Sequence, residues 1–302
     1  MPETSPRPRL LVVRNPVAGR ARSRRARAWF EALGAVADIT MRDTANRGEA
    51  EAWAREARDF DRIVIAGGDG TIGEAVAGLL ARQDAVPPLG IVPLGTANVL
   101  AAELGLPDDP MRLAALLGRG AVRRLHPGLA NGRPFAAMAG VGFDAEVVQR
   151  VSIPLKRKIG KGAYVVETLR KIGAYGFPEF DVTVDGRRFS ATSAIVAKGH
   201  FYGGRFVVCP DASPFRPRFQ VALFGRRGPI AALGYAAALG VGMLPRLVTL
   251  IDAERIEIAG PAASPVQGDG DVLTRLPAKI EIAPRTVAVI VGDLGQAATG
   301  PI

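Results

Sequence analysis

A chain of 302 residues, 48% hydrophobic and 23% charged, is long enough for two domains with sizeable cores, and its composition excludes a disordered or fibrous protein. A formal net charge of +10 favours an anionic partner, either a nucleotide or an anionic membrane surface; aromatics make up 6% and are not interleaved with basic residues for stacking on bases, which argues against nucleic acid. One cysteine, Cys209, rules out an intramolecular disulfide and fits a reducing, cytoplasmic setting, and two histidines with no cysteine pair argue against zinc.

The first nine residues lack the apolar core of a signal peptide. Residues 9–14 read as a buried strand that ends at the turn Asn15-Pro16-Val17-Ala18-Gly19. A basic segment over 20–27 leads into a helix through Trp29, Phe30 and Leu33; its arginines form either a solvated face or a phosphate contact at the strand's carboxyl end. Residues 37–41 are a second strand, followed by Thr44 and a helix over 48–57.

The third unit, residues 62–78, runs from a β-branched strand over 63–66 into Gly67-Gly68-Asp69-Gly70-Thr71 and then a helix from Thr71. Strand, bare glycine turn and helix N-terminus together suit an anion, most often a phosphate. Gly68, Gly70 and Gly73 also satisfy G-x-G-x-x-G, but the next strand (89–92) brings no ribose-binding acid, so a dinucleotide oxidoreductase is disfavoured. Asp69 is the anomaly. A carboxylate among phosphate-binding amides suggests an intervening Mg²⁺ and a nucleoside triphosphate; the competing reading is a helix-capping aspartate.

A fourth strand, 89–92, ends in Pro93-Leu94-Gly95-Thr96-Ala97-Asn98 before a helix over 99–104. Strand–helix alternation with right-handed crossovers gives a parallel sheet, and brings the first, third and fourth loops to one crevice. Beyond residue 127 the pattern changes to short alternating strands with hairpin signals at Asn131-Gly132, Asp185-Gly186 and Asp269-Gly270, interrupted by helices over 159–171 and 229–244. The expected class is therefore α/β: a three-layer parallel-sheet nucleotide-binding domain over 1–127 and a β-sandwich domain over 128–302. The apolar stretch 230–244 is too short to span a bilayer.

Four motifs stand in one register: Asn15-Pro16 with Gly19; Gly67 to Thr71 with Glu74; Pro93 to Asn98; and Gly140-Val141-Gly142-Phe143-Asp144-Ala145. In order and spacing they resemble the diacylglycerol kinase catalytic family, soluble bacterial lipid kinases related to sphingosine and ceramide kinases. That resemblance implies an ATP-dependent transfer of phosphate to a lipid hydroxyl, with diacylglycerol as the leading acceptor. It implies an ATP site lined by Asn15, Thr44, Gly67, Gly68, Asp69, Gly70, Thr71, Gly95 and Thr96. Asp69 would act through Mg²⁺, Glu74 and Asn98 would support the loops, and Asp144 would lie near the acceptor. Lys156, Arg157, Lys158 and Lys161 with Tyr164 resemble a basic segment of the family, read as a headgroup contact or as a solvated helix start. The family's C-terminal segment often returns to the first domain, which applies here to residues 287–302.

Two departures from the family pattern stand out. Asp269-Gly270-Asp271 replaces an Asp-Gly-Glu whose glutamate is the family's proposed general base, so Asp271 must reach a hydroxyl across one more methylene's length. An ordinary Asp-Gly hairpin turn is the alternative. After Asp211, Ala212 to Phe219 lacks the acidic stretch that helps some relatives hold a structural Mg²⁺, so that ion is not expected. An NAD-kinase-like phosphotransferase and a catalytically weak lipid-binding regulator remain as alternatives. Expected partners are a lipid at the inner membrane surface and no nucleic acid; no stable protein partner is expected, and a homodimer is left open.

Overall fold

The computed structural model describes residues 6–150 and 175–294, which divide into two compact units: the chain up to Leu125 together with the segment from Thr286, and His126–Arg285. The basic segment with Tyr164 and the helix expected over 159–171 lie outside the described residues.

In the first unit, β1 (Arg9–Arg14), β2 (Asp38–Asp43), β3 (Arg62–Gly67), β4 (Leu89–Pro93) and β5 (Val122–Leu125) share a six-stranded sheet with the last strand, β20 (Val287–Ile290), in the order β2-β1-β3-β4-β20-β5. Neighbours from β2 to β20 run parallel, and among the described residues β5 pairs only with β20, antiparallel. Leu10, Val12, Val64 and Ala66 pack against Trp29 and Leu33 of α1 (Arg24–Val36) and, further on, Leu113 and Leu117 of α5 (Pro110–Arg119). The alternate residues Leu11, Val13, Ile63 and Ile65 are buried as well, so both faces of the sheet are covered, as continuous apolar strands require. Between α1 and α5 in the chain come α2 (Glu49–Glu56), α3 (Asp69–Leu80) and the short α4 (Val99–Glu103). α2 and α3 approach so closely at Gly78 that a Cβ there would meet the Glu51 carbonyl. Ser23 and Asp109 cap α1 and α5 through their side-chain oxygens.

The second unit is a sandwich of two antiparallel sheets. One has the order β10-β9-β16-β19-β6-β7, from β6 (Gly128–Ala130), β7 (Arg133–Phe135), β9 (Phe180–Val184), β10 (Arg187–Ala191), β16 (Arg255–Ala259) and β19 (Ala278–Ile282). The other has the order β15-β14-β11-β8-β17-β18, from β8 (Met138–Gly142), β11 (Ser193–Ala197), β14 (Phe219–Phe224), β15 (Thr249–Ala253), β17 (Pro265–Gly268) and β18 (Asp271–Arg275). A ribbon of β12 (Phe201–Tyr202) and β13 (Phe206–Val207) and the helices α6 (Phe143–Arg150) and α7 (Pro229–Gly240) complete the described elements. Phe135, Phe180, Val182, Phe219, Val221, Ile256, Val266 and Ile280 belong to the core between the sheets.

All three predicted hairpins close on two residues in the left-handed region: Asn131 and Gly132 (φ 47° and 77°), Asp185 and Gly186 (45° and 83°), and Asp269 and Gly270 (51° and 86°). The helix expected over 229–244 stops at Gly240, Gly242 turns left-handed at φ 73°, and a 3₁₀ turn at Leu244–Arg246 follows.

Lys198 is fully buried in this unit; its Nζ donates to the carbonyls of Arg216 and Arg218 and lies 5.5 Å from the Phe219 ring centroid. Burial lowers its pKa to about 7. The unfolded lysine, at roughly 10.4, therefore holds more proton than the folded one between these values, and stability rises with pH across that window. Urea unfolding from pH 7 to 10 is expected to show this rise, by at most about 1.4 kcal/mol per pH unit for a single proton. Lys198→Met should flatten it, and an unchanged slope in the variant would assign it to other groups.

Candidate functional site

Three loops meet at the carboxyl ends of β1, β3 and β4. The Asn15 amide donates to the Ala66 carbonyl (2.9 Å), and its side-chain Nδ2 donates to Thr71 Oγ1 (3.1 Å) in the first turn of α3. Asn15 Oδ1 accepts from the Val17 amide and so closes the Asn-Pro turn on itself. The Arg20 amide donates to the Leu94 carbonyl (2.8 Å), and the Leu94 amide donates to the Gly67 carbonyl (2.9 Å). Beside them Thr44 is tied to β1 through its amide and the Arg14 carbonyl, where Arg14 and Asp43 form a bidentate pair of 2.5 and 2.7 Å. The Arg14 guanidinium holds the Asp43 carboxyl below its ordinary range.

The glycines of the third loop leave a bare backbone turn and also admit a second turn against it. None of Gly67, Gly68 and Gly70 has a positive φ, and α3 begins at Asp69 rather than Thr71, so Gly70 lies inside the helix. What Gly67, Gly68 and Gly95 supply is room. A Cβ on Gly95 would sit 2.6 Å from the Gly68 Cα, and one on Gly67 would sit 2.8 Å from the Thr71 Cβ. Two backbone turns, Gly67-Gly68 and Gly95-Thr96, are thereby pressed together.

Asp69 sits across that contact. Its Oδ1 accepts from the Leu100 amide at 3.4 Å, at the N-terminus of α4. Burial pushes its carboxyl above the ordinary range, while the amides of Leu100, Val99 and Asn98 favour the charged form and partly oppose the shift. Asn98 adopts a left-handed backbone (φ 51°), and its Nδ2 donates to the Gly95 carbonyl (3.0 Å) and, weakly, to Pro93 (3.4 Å). Its Oδ1 is buried and accepts no hydrogen bond among the described residues. Thr96 is exposed, and Glu74 lies partly buried in α3. The loop-1, loop-3 and loop-4 candidates are thus brought together, with Thr44 beside them at the end of β2.

A second cluster lies within the sandwich unit. Asp144, in the first turn of α6, accepts through Oδ1 from the Tyr202 hydroxyl and through Oδ2 from Gln267 Nε2 (2.9 Å). Gly140 leaves the space, since a Cβ on it would lie 3.3 Å from Asp144 Oδ2 and 3.2 Å from Gln267 Nε2. Burial raises the Asp144 carboxyl above its usual range, against the two hydrogen bonds that favour its charge. Gln267 Oε1 in turn accepts from the Gly270 amide (3.2 Å), which links Asp144 to the hairpin turn that Asp271 follows. In that turn Asp269 accepts from the amides of Ala136 (2.6 Å), Ala137 (2.9 Å) and Met138 (3.0 Å). Asp269 is therefore a clamp between strands, and Asp271, partly buried, is the first residue of β18.

Sequence reasoning missed Tyr202, Gln267 and the amide-binding role of Asp269.

Residues 9–130 match the family model for the diacylglycerol kinase catalytic domain, and residues 137–291 match that for the YegS C-terminal NAD kinase beta sandwich-like domain. A Bacillus subtilis protein named "Diacylglycerol kinase" is 33% identical over 214 residues, covering 68% of this chain and 70% of its own length. A Stenotrophomonas maltophilia protein named "Probable lipid kinase YegS-like" is 30% identical over 302 residues, covering 94% of this chain and 96% of its own. Among solved structures, a diacylglycerol kinase from Bacillus anthracis superposes with a TM-score of 0.78 at 26% identity, covering 94% of this chain and 97% of that one.

Proposed function

From the premise that the chain belongs to the diacylglycerol kinase catalytic family of bacterial lipid kinases, we propose that it transfers the γ-phosphoryl group of ATP to a lipid hydroxyl, with diacylglycerol as acceptor and phosphatidic acid as product. The observation that carries this reading is the contact of two glycine turns with the Asp69 carboxylate beside it. Such a surface offers backbone amides to a triphosphate and an acid to a cation.

Among the described residues no three histidine, cysteine or acidic side chains gather to form a dedicated metal cage. Mg²⁺ in phosphoryl transfer needs none, since one or two carboxylates plus phosphate and water oxygens suffice. Asp69 and the unsatisfied Asn98 Oδ1 are hard oxygen donors of the kind it takes, and they would hold it. Bound there, the ion would neutralise charge on the phosphates.

In the transfer, the lipid hydroxyl oxygen forms a bond to the γ-phosphorus as the bond from that phosphorus to the β–γ bridging oxygen breaks, releasing ADP. Asp271 accepts the hydroxyl proton. Asp144, fixed by Tyr202 and Gln267, positions the turn before Asp271 through the Gln267–Gly270 hydrogen bond. The loop amides stabilise charge on the transferred group.

Radiolabelled ATP incubated with mixed micelles of diacylglycerol, sphingosine or ceramide, and separately with NAD, tests the proposal. Magnesium-dependent label in phosphatidic acid is the expected outcome. Label in NAD alone would turn the assignment to an NAD-kinase-like enzyme, and no label anywhere would leave a lipid-binding regulator.

A further inference from the structure

α7 breaks the ordinary pattern of a surface helix. Residues 229–240, Pro-Ile-Ala-Ala-Leu-Gly-Tyr-Ala-Ala-Ala-Leu-Gly, carry no charge and are apolar on all sides, a composition that belongs to buried helices. Yet Ala238 is its one fully buried residue. At 100° per residue, Pro229, Ile230, Leu233, Ala236 and Ala237 share one sector of roughly 120°. All five are exposed, Ile230 at 87%. The apolar surface continues past the helix end through Val241 (65%), Met243 and Leu247.

The opposite side is anchored. Tyr235 meets the Phe224 ring edge-on at 5.0 Å and its hydroxyl accepts from the Arg226 amide (3.1 Å), while Ala238 and Leu244 pack beside Phe224. The outward face is therefore held in place by its own domain and is not a frayed segment. Its charge pattern is one-sided. From Gly225 to Ile251 there is no acidic residue, and Arg226, Arg227 and Arg246 flank the apolar stretch. Arg227 also pairs with Glu179 (2.9 Å), while Arg226 and Arg246 are exposed.

We infer that this face is a docking surface for an anionic phospholipid bilayer, with α7 lying in the plane of the interface and the flanking arginines at the headgroups. An apolar strip edged with arginine matches acyl chains beneath anionic phosphates. A second copy of the chain fits less well. A twelve-residue helix is about 18 Å long and 10 Å across and offers a few hundred Å², against roughly 800 Å² per partner for a stable dimer. Among the described residues no helix is long and apolar enough to cross a membrane. The proposal rests on the lipid-kinase reading for its purpose and on α7 for its substance.

Co-sedimentation with phosphatidylcholine vesicles, with and without a third of phosphatidylglycerol, reads binding without turnover. The intact protein should sediment with the anionic vesicles. Ile230→Asp with Leu233→Asp should lower the bound fraction about tenfold or more, with an unchanged melting temperature. Arg226→Glu with Arg246→Glu should remove the preference for anionic vesicles. Both variants should still phosphorylate a short-chain diacylglycerol dispersed in water. Absence of binding by the intact protein, or binding by the double-Asp variant equal to it, overturns the proposal. So does light scattering that shows a dimer dissolved by the two aspartates. Failure of the intact protein to phosphorylate the short-chain lipid counts against the kinase reading instead, and leaves the vesicle result standing.

Discussion

Asp69→Asn is expected to reduce phosphotransfer by about 10²–10³-fold while leaving the fold intact. Its carboxylate lies against the α4 N-terminus, where the Leu100 amide reaches Oδ1 at 3.4 Å. An asparagine keeps an oxygen there and can go on accepting that hydrogen bond. It cannot carry the negative charge that draws a cation to the phosphates. The substitution therefore separates the two readings of this residue, since capping survives it and charge does not. Isothermal titration with ATP, with and without Mg²⁺, should show affinity that no longer responds to the metal. Full activity in Asp69→Asn would reduce Asp69 to a cap and remove the main support for the proposed nucleotide site.

The Asp269-Gly270-Asp271 turn should respond to substitution in two different ways. Asp271→Asn is expected to lower kcat by about 10²–10⁴-fold with an unchanged urea midpoint, the range for loss of a general base. Asp271→Glu restores the family's longer side chain and should retain transfer or raise it. Asp269→Ala, by contrast, strips the acceptor from three backbone amides, those of Ala136, Ala137 and Met138. Hydrogen bonds to a charged group are worth about 1.5–3 kcal/mol each, so its loss should cost on the order of 3 kcal/mol or more in stability. Denaturant curves beside steady-state kinetics distinguish these patterns. An Asp271→Asn enzyme with normal kcat would remove Asp271 from the chemistry.

Much of the architecture was legible because it rests on local rules. Asn131-Gly132, Asp185-Gly186 and Asp269-Gly270 announce their turns since few other residue pairs tolerate two left-handed conformations in succession. The strands of the first unit are continuous apolar runs, the signature of a sheet covered on both faces. α5 and β5 were missed. β5 is an edge strand whose Val122, Arg123 and Arg124 are exposed, so only Leu125 carries a burial signal. The start of α3 was misplaced by two residues because Gly70 reads as a turn residue, although a glycine packs well enough in a first helical turn.

In the candidate site, sequence named the residues but not their partners. The amides that meet Asp69 lie some thirty positions downstream, and Tyr202 comes to Asp144 from a ribbon 58 residues away. No periodicity records such pairings. They arise when tertiary structure brings distant turns together, and Lys198 escaped notice for the same reason, since burial of a lysine is decided by what folds over it.

Among the described residues β20 is the only strand beside β5, and it also lies beside β4, so the first sheet is finished by a strand that follows the whole sandwich in sequence. The join is tight. The Gly292 amide bonds to the Leu104 carbonyl (2.9 Å), and a Cβ on Gly292 would collide with the Gly105 carbonyl. During synthesis on the ribosome, the first unit must therefore wait with β5 unpartnered and one side of β4 open until the entire sandwich has been translated. Its maturation is coupled to the arrival of β20, and a message cut short at Arg285 would yield a protein with a gap in its earlier-made unit.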